Sequence, residues 1–186
     1  MSSLEEGGHA LFDTAIGVCG IAWGPRGVVA VQLPETDREG TRARLLKGLR
    51  PAPAQVHPPA QVQAAIDGIQ ALMRGESRDL REIQLDMTHL TPFQRDVYAM
   101  ARAVPPGQTR TYGELARELG DVGLSRAVGQ ALGHNPFAPV VPCHRVLAAG
   151  NRPGGFSAGG GALTKLRMLA IEGARPSGMA PLFDDL

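Results

Sequence analysis

The chain has 186 residues, 19 of them Lys or Arg and 18 Asp or Glu, with 43% hydrophobic and only 4% aromatic residues. Such a length and apolar content provide one large or two small domains with an aliphatic, alanine-rich core, and exclude wholesale disorder. No apolar run approaches the ~18 residues that span a bilayer, and the acidic start MSSLEEGGH lacks a secretory signal's basic head and apolar stretch, so a cytoplasmic protein without a membrane partner is expected.

Residues 12–23 (FDTAIGVCGIAW) and 27–33 (GVVAVQL) are β-branched and apolar on either side of Gly24-Pro25-Arg26-Gly27, a hairpin pattern. Residues 36–49 place Leu45, Leu46 and Leu49 at helical spacing. Residues 59–74 do the same with Val62, Ile66, Ile69 and Met73. The intervening PAPAQVHPP is a loop, since no helix crosses those prolines. Residues 79–88, with Leu80, Ile83, Leu85 and Met87, read as one more strand. This half carries no cluster of catalytic residue types.

The character changes near Thr91. Thr91-Pro92 is a helix start, and Phe93, Val97, Met100 and Val104 form one apolar face that ends at Pro105-Pro106-Gly107. A second helix over 111–119 begins with Thr111 and Glu114 at capping-box spacing, and a third over 125–132 stops at Gly133-His134-Asn135-Pro136. Two short helices joined tightly are a helix-turn-helix candidate, although many helical cores contain such pairs. A last helix follows the glycine-rich run 150–161, with Leu163, Leu166, Leu169 and Ala170 on one face. Charge divides along the same line: residues 1–90 carry 9 basic and 11 acidic side chains, residues 91–175 carry 10 and 5. The near-neutral total therefore does not oppose a nucleic-acid partner.

The chemistry concentrates in Val140-Val141-Pro142-Cys143-His144-Arg145-Val146. A lone cysteine is commonly a buried structural residue. Here an adjacent His and Arg offer thiolate stabilisation, and a nucleophile beside a base is the general pattern of covalent catalysis. Neighbours in an extended segment point to opposite sides, so whether His144 reaches Cys143 depends on a turn. The glycine run fits neither a P-loop nor GxGxxG; it is either a linker or one wall of a pocket. Cys19 and Cys143 are expected as free thiols, and no CxxC pair or histidine spacing marks a metal site.

TPFQRDVYAMARAVPPGQTRTYGELAREL, SRAVGQALGHNP, VVPCHRV, GGFSAGGG, TK and the Leu-rich helix ending at Glu172 occur in an order that resembles the O6-alkylguanine-DNA alkyltransferases over residues 91–173. The resemblance implies an α/β amino-terminal domain (1–88), a mainly α alkyltransferase and DNA-binding domain (89–176) with a winged helix-turn-helix-like unit, and a tail (177–186). It implies direct reversal of DNA damage. Cys143 takes the alkyl group irreversibly, His144 receives the thiol proton through a water, Glu172 orients the imidazole, Tyr112 serves the departing guanine, and Asn135 braces the segment. Double-stranded DNA carrying O6-alkylguanine is the implied partner, bound from the minor groove by a monomer, with the nucleotide flipped and Arg126 filling its place. Ser125, Ala127, Gly129 and Thr111 would lie against the DNA, and Pro142, Val146, Leu132, Phe156 and Ser157 would line the base pocket. No cofactor is called for, because the substrate is the alkyl donor. The chain departs from the family in Phe156 for a usual tyrosine, Tyr98 for a usual tryptophan, and a glycine loop two residues longer between Cys143 and Lys165. The alternative is a relative that senses such lesions without efficient transfer; a cysteine hydrolase acting on some other substrate ranks well behind.

Overall fold

In the 12–23 stretch Gly17, at φ +130°, turns the chain back where a single strand is expected. The Thr14 hydroxyl fixes that turn, donating to the Gly17 carbonyl (2.7 Å) and accepting from the Ile16 amide. The predicted two-stranded hairpin is therefore a three-stranded antiparallel sheet: β1 (Gly8–Thr14), β2 (Gly17–Gly24) and β3 (Gly27–Gln32), in that order. The computed structural model describes residues 6–154 and 160–174.

Two helices cover the sheet as the spacing predicts. α1 (Arg38–Leu46) is capped by Asp37, whose carboxylate accepts from the Gly40 amide, and α2 (Ala60–Met73) buries Val62, Ile66, Ile69 and Met73. The proline-rich loop between them lies along β1, joined by His9 N to the Ala54 carbonyl (2.9 Å) and the His9 ring to the Pro53 carbonyl (2.7 Å). Residues 79–88 correct a second expectation. Only Leu85 bridges to Val28, because the carbonyls of Leu80, Arg81 and Ile83 turn to one guanidinium, that of Arg102, at 2.9–3.1 Å. A half-buried anchor of that kind takes the acceptors a strand neighbour would need, so the segment is a series of turns.

α3 (Pro92–Arg102) starts at a full capping box, Thr91 with Gln94, and buries Val97, Tyr98 and Ala101. α4 (Tyr112–Glu118) starts at another, Thr111 with Glu114. A single 3-10 turn, Val122–Leu124, connects it to α5 (Ser125–Gly133), which packs on both α3 and α4. Two residues on each side form a parallel pair, β4 (Arg110–Thr111) with β5 (Val146–Leu147), which sets the start of α4 beside the residues after Cys143. α6 (Ala162–Ile171) buries Lys165, Met168 and Leu169. Leu163 (64% exposed) and Ala170 face outward, so the predicted Leu163-Leu166-Leu169-Ala170 face is rotated: a lysine, unreadable as apolar, occupies the centre of the buried one. One apolar cluster runs from Ala10 and Ile21 through Ile69, Tyr98, Leu115 and Val128 to Cys143 and Met168, so the sheet and the last helices share a core.

Candidate functional site

The turn that the sequence left open is built by Pro142. Its ring fixes φ at −81°, and with ψ at 67° the Cys143 amide closes on the Val141 carbonyl at 2.8 Å, an inverse γ-turn. A 3-10 turn over Cys143–Arg145 follows, and at three residues per turn its side chains diverge instead of alternating. Asn135 holds this geometry from outside the turn: its Nδ2 donates to the Val141 carbonyl (2.7 Å), its Oδ1 accepts from the Phe137 amide (2.9 Å), and its amide also reaches the Cys143 sulfur.

The divergent side chains of His144 and Arg145 converge on one carboxylate, that of Glu172. His144, fully buried, places Nε2 2.7 Å from Oε1 of Glu172. Arg145 grips the same carboxylate from the other side, Nη2 to Oε1 at 2.7 Å and Nε to Oε2 at 3.0 Å, and sends Nη1 to the Val104 carbonyl. Burial pushes the Glu172 carboxyl up, but the bonds and charges of His144 and Arg145 outweigh that and hold it at about 2. The carboxylate is thus ionised and accepts from Nε2–H. The neutral imidazole then carries its lone pair on Nδ1, which is buried and bonds to no group among the described residues. Burial lowers the His144 pKa against the pull of Glu172, which keeps the ring neutral.

Burial also raises the Cys143 thiol. The Asn135 amide, the charge of Lys165 and the backbone amides of Cys143 and His144 act in the opposite sense. Lys165 is 1% exposed, donates from Nζ to the Val146 carbonyl (2.8 Å) and lies 5.8 Å from the Tyr112 ring centroid. Tyr112 closes the group: burial raises its hydroxyl and the charge on Cys143 adds to that. Gly154 (φ +71°) lies directly against this hydroxyl, since a Cβ there would stand 2.6 Å from the Tyr112 oxygen. Hydrogen bonds and charge therefore link Cys143, His144, Asn135, Tyr112, Glu172 and Lys165 into one buried to half-buried group.

The other predicted site residues fall in three places. Pro142, Leu132 and Val146 are buried beside Cys143 or in the core around it. Thr111 and Ser125 use their hydroxyls locally, Thr111 accepting from the Glu114 amide as a cap and Ser125 donating to the Val122 carbonyl. Arg126 is exposed on α5 with no hydrogen bond or ion pair among the described residues, and Ala127 and Gly129 lie on the same helix. A Cβ on Gly129 would make ordinary 3.5 Å contact with Tyr112, so the fold does not require glycine there. Phe156 and Ser157 lie outside the described residues. Among the described residues no group of three metal-ligating side chains occurs.

A family model for the 6-O-methylguanine DNA methyltransferase DNA binding domain matches residues 92–174. The methylated-DNA–protein-cysteine methyltransferase of Mycobacterium tuberculosis (strain H37Rv) is 40% identical over 126 residues, 68% of this chain and 74% of the relative. The chain belongs to this methyltransferase family. The crystal structure of Mycobacterium tuberculosis OGT in complex with DNA superposes with a TM-score of 0.70 at 32% identity, covering 89% of this chain and 92% of that one. A DNA base-flipping protein of Thermus thermophilus is 46% identical over 109 residues, 58% of this chain and 71% of the relative.

Within this family member, two residues of the site escaped the reading of single motifs. Arg145 was legible only as a neighbour of the thiol, yet it faces Glu172, because a 3-10 turn and not a strand carries it. Lys165 gave a weaker signal. A lysine three residues before Met168 and four before Leu169 interrupts a helix's apolar face, which marks a cation that burial must satisfy internally.

Proposed function

We propose that this chain repairs DNA by direct damage reversal, transferring the alkyl group of O6-alkylguanine irreversibly to Cys143. The observation that carries the reading is the buried chain from Glu172 through His144 to an Nδ1 lone pair with no partner among the described residues, on the residue that follows the buried Cys143 thiol. In the reaction the Cys143 proton passes through a bridging water to Nδ1, and the imidazolium is balanced by Glu172. The thiolate forms a sulfur–carbon bond to the alkyl group, the carbon–O6 bond breaks, and its electron pair leaves on guanine. The Tyr112 hydroxyl supplies the hydrogen bond that the departing base needs. The thioether has no second route of reaction, so each molecule acts once.

Residues 89–176 form the alkyltransferase and DNA-binding unit of this reading, with a winged helix-turn-helix-like arrangement, and residues 1–88 the α/β unit. α5 approaches the minor groove as a monomer's recognition helix. Its small residues Ala127 and Gly129 permit close approach, and Arg126, an exposed cation with no hydrogen bond or ion pair among the described residues, fills the stack when the nucleotide is flipped at a cost of roughly a few kcal/mol. Ser125 and Thr111 flank that contact. Leu132, Pro142 and Val146 back the base pocket in this reading, and Phe156 and Ser157, outside the described residues, are assigned to its lining by the family resemblance alone.

Intact-mass measurement after incubation with an O6-methylguanine duplex tests the reading. One methyl group replaces one proton, at a stoichiometry of one, and Cys143→Ala gains nothing. Lesion-dependent binding with no mass gain selects the lesion-sensing alternative instead. The loop wall has its own expectation. Gly154→Ala forces a side chain at positive φ into the Tyr112 hydroxyl, so it costs about 1–3 kcal/mol of stability and slows the transfer; thermal unfolding and single-turnover rates read both.

A further inference from the structure

A second concentration of charge lines a cleft that shares Arg145 with the site. The cleft, of about 340 Å³, opens between residues 77–81, the end of α3 with Pro105 and Pro106, and Pro139 with Val140. Arg78, Arg81, Arg102 and Arg145 line it against a single carboxylate, Asp79. Two of the four cations are already matched: Arg145 holds Glu172, and Arg81 holds Asp79 through Nε and Nη2 at 3.0 and 2.8 Å. Two are not. Arg78 has no hydrogen bond or ion pair among the described residues. Arg102 spends only Nη2, on three backbone carbonyls, while its Nε is buried without a partner and its Nη1 bonds to nothing described. Burial lowers the Arg102 pKa, the charges of Asp79 and Glu82 work against that, and the nearby Arg81 cation adds to it.

Unmatched guanidinium groups in a partly enclosed cleft attract an anion, and a tetrahedral oxyanion offers separate oxygens that match the fork of each guanidinium in paired hydrogen bonds, which the single centre of a halide does not. We propose that this cleft binds a phosphate-class oxyanion between Arg78 and Arg102, with Arg81 at its rim. The anion is either free phosphate or a phosphodiester of a nucleic-acid backbone. Proline walls on one side limit its access to water and strengthen the pairing.

The test is thermal unfolding of the full chain in inorganic phosphate, with ionic strength held constant by chloride. Phosphate produces a saturating rise in Tm. Arg78→Gln, which breaks no bond among the described residues, raises the half-saturating concentration about tenfold or more, equal to ~1.4 kcal/mol of binding. Salt dependence of undamaged-duplex binding separates the two sources. A log–log slope shallower by about one in Arg78→Gln assigns a backbone phosphodiester, and an unchanged slope with a lost phosphate response assigns the free anion. A rise in Tm that chloride matches, or the same half-saturation in the variant, overturns the site.

Discussion

Glu172→Gln unfolds at markedly lower temperature and loses most alkyl transfer, and the two losses have separable causes. The carboxylate, 3% exposed, is among the described residues the one anion paired with both the His144 Nε2–H and the Arg145 guanidinium. Glutamine offers one carbonyl oxygen to both and turns an NH2 toward a group that is itself a donor. Arg145, 6% exposed, becomes a buried cation without a counter-charge, at a cost of about 3–5 kcal/mol. Reactivity falls for another reason. Without an ionised acceptor on Nε2, neither the tautomer nor the imidazolium is stabilised, and roughly 10²- to 10⁴-fold in rate is lost. Adding Arg145→Met removes the orphaned cation and recovers part of the stability but none of the rate. A folded Glu172→Gln protein that transfers methyl at the parental rate would falsify the role of the pair. The acid limb gives a further check. The Glu172 pKa is lowered to about 2 from an ordinary 4.5, so its stabilisation is complete above 4.5 and is lost as pH falls toward 2. Glu172→Gln flattens that part of the stability profile.

Where one periodicity or one cap decides the local structure, the sequence reads correctly: α2 from Val62, Ile66 and Ile69, α3 from Thr91-Pro92, α4 from Thr111 and Glu114. The misreadings have two causes, a partner distant in sequence or a local signal that a strand also tolerates. Nothing local to residues 79–88 announces that Arg102 will take three of their carbonyls. The 12–23 run looks continuous because a turn needs only Thr14 and Gly17, both compatible with a strand. At the site, Pro142 before Cys143 is enough to predict a bend, but not that the bend sends His144 and Arg145 to opposite sides of one carboxylate 27 residues on from Arg145. Glu172 could be placed only by the resemblance, since a glutamate ending a helix carries no mark of its own. Its burial depends on α6 docking with Lys165 inward, which the apolar pattern misassigns.

That inward lysine supports the second large expectation. Lys165→Met keeps its fold, and its transfer rate falls by roughly tenfold or more below pH 8, because a nearby cation favours the thiolate form of Cys143. Burial lowers the Lys165 pKa from 10.5 to about 8, against the charge of Cys143, so the ammonium is present at neutral pH but costs stability there. The unfolded chain binds the extra proton between about 8 and 10.5, hence stability rises with pH across that window and the slope disappears in the variant. At neutral pH two changes oppose each other. Methionine removes the desolvation of a charge, and it leaves the Val146 carbonyl without its donor, a cost of about 1–3 kcal/mol. Chemistry has no such offset, because the thiolate loses the nearest full positive charge that lowers its pKa. The advantage of the parental protein is therefore largest below pH 8 and shrinks above it, as Lys165 itself deprotonates. Single-turnover rates across that range decide the matter: a ratio of parental to variant rates that does not change with pH would leave Lys165 a packing residue.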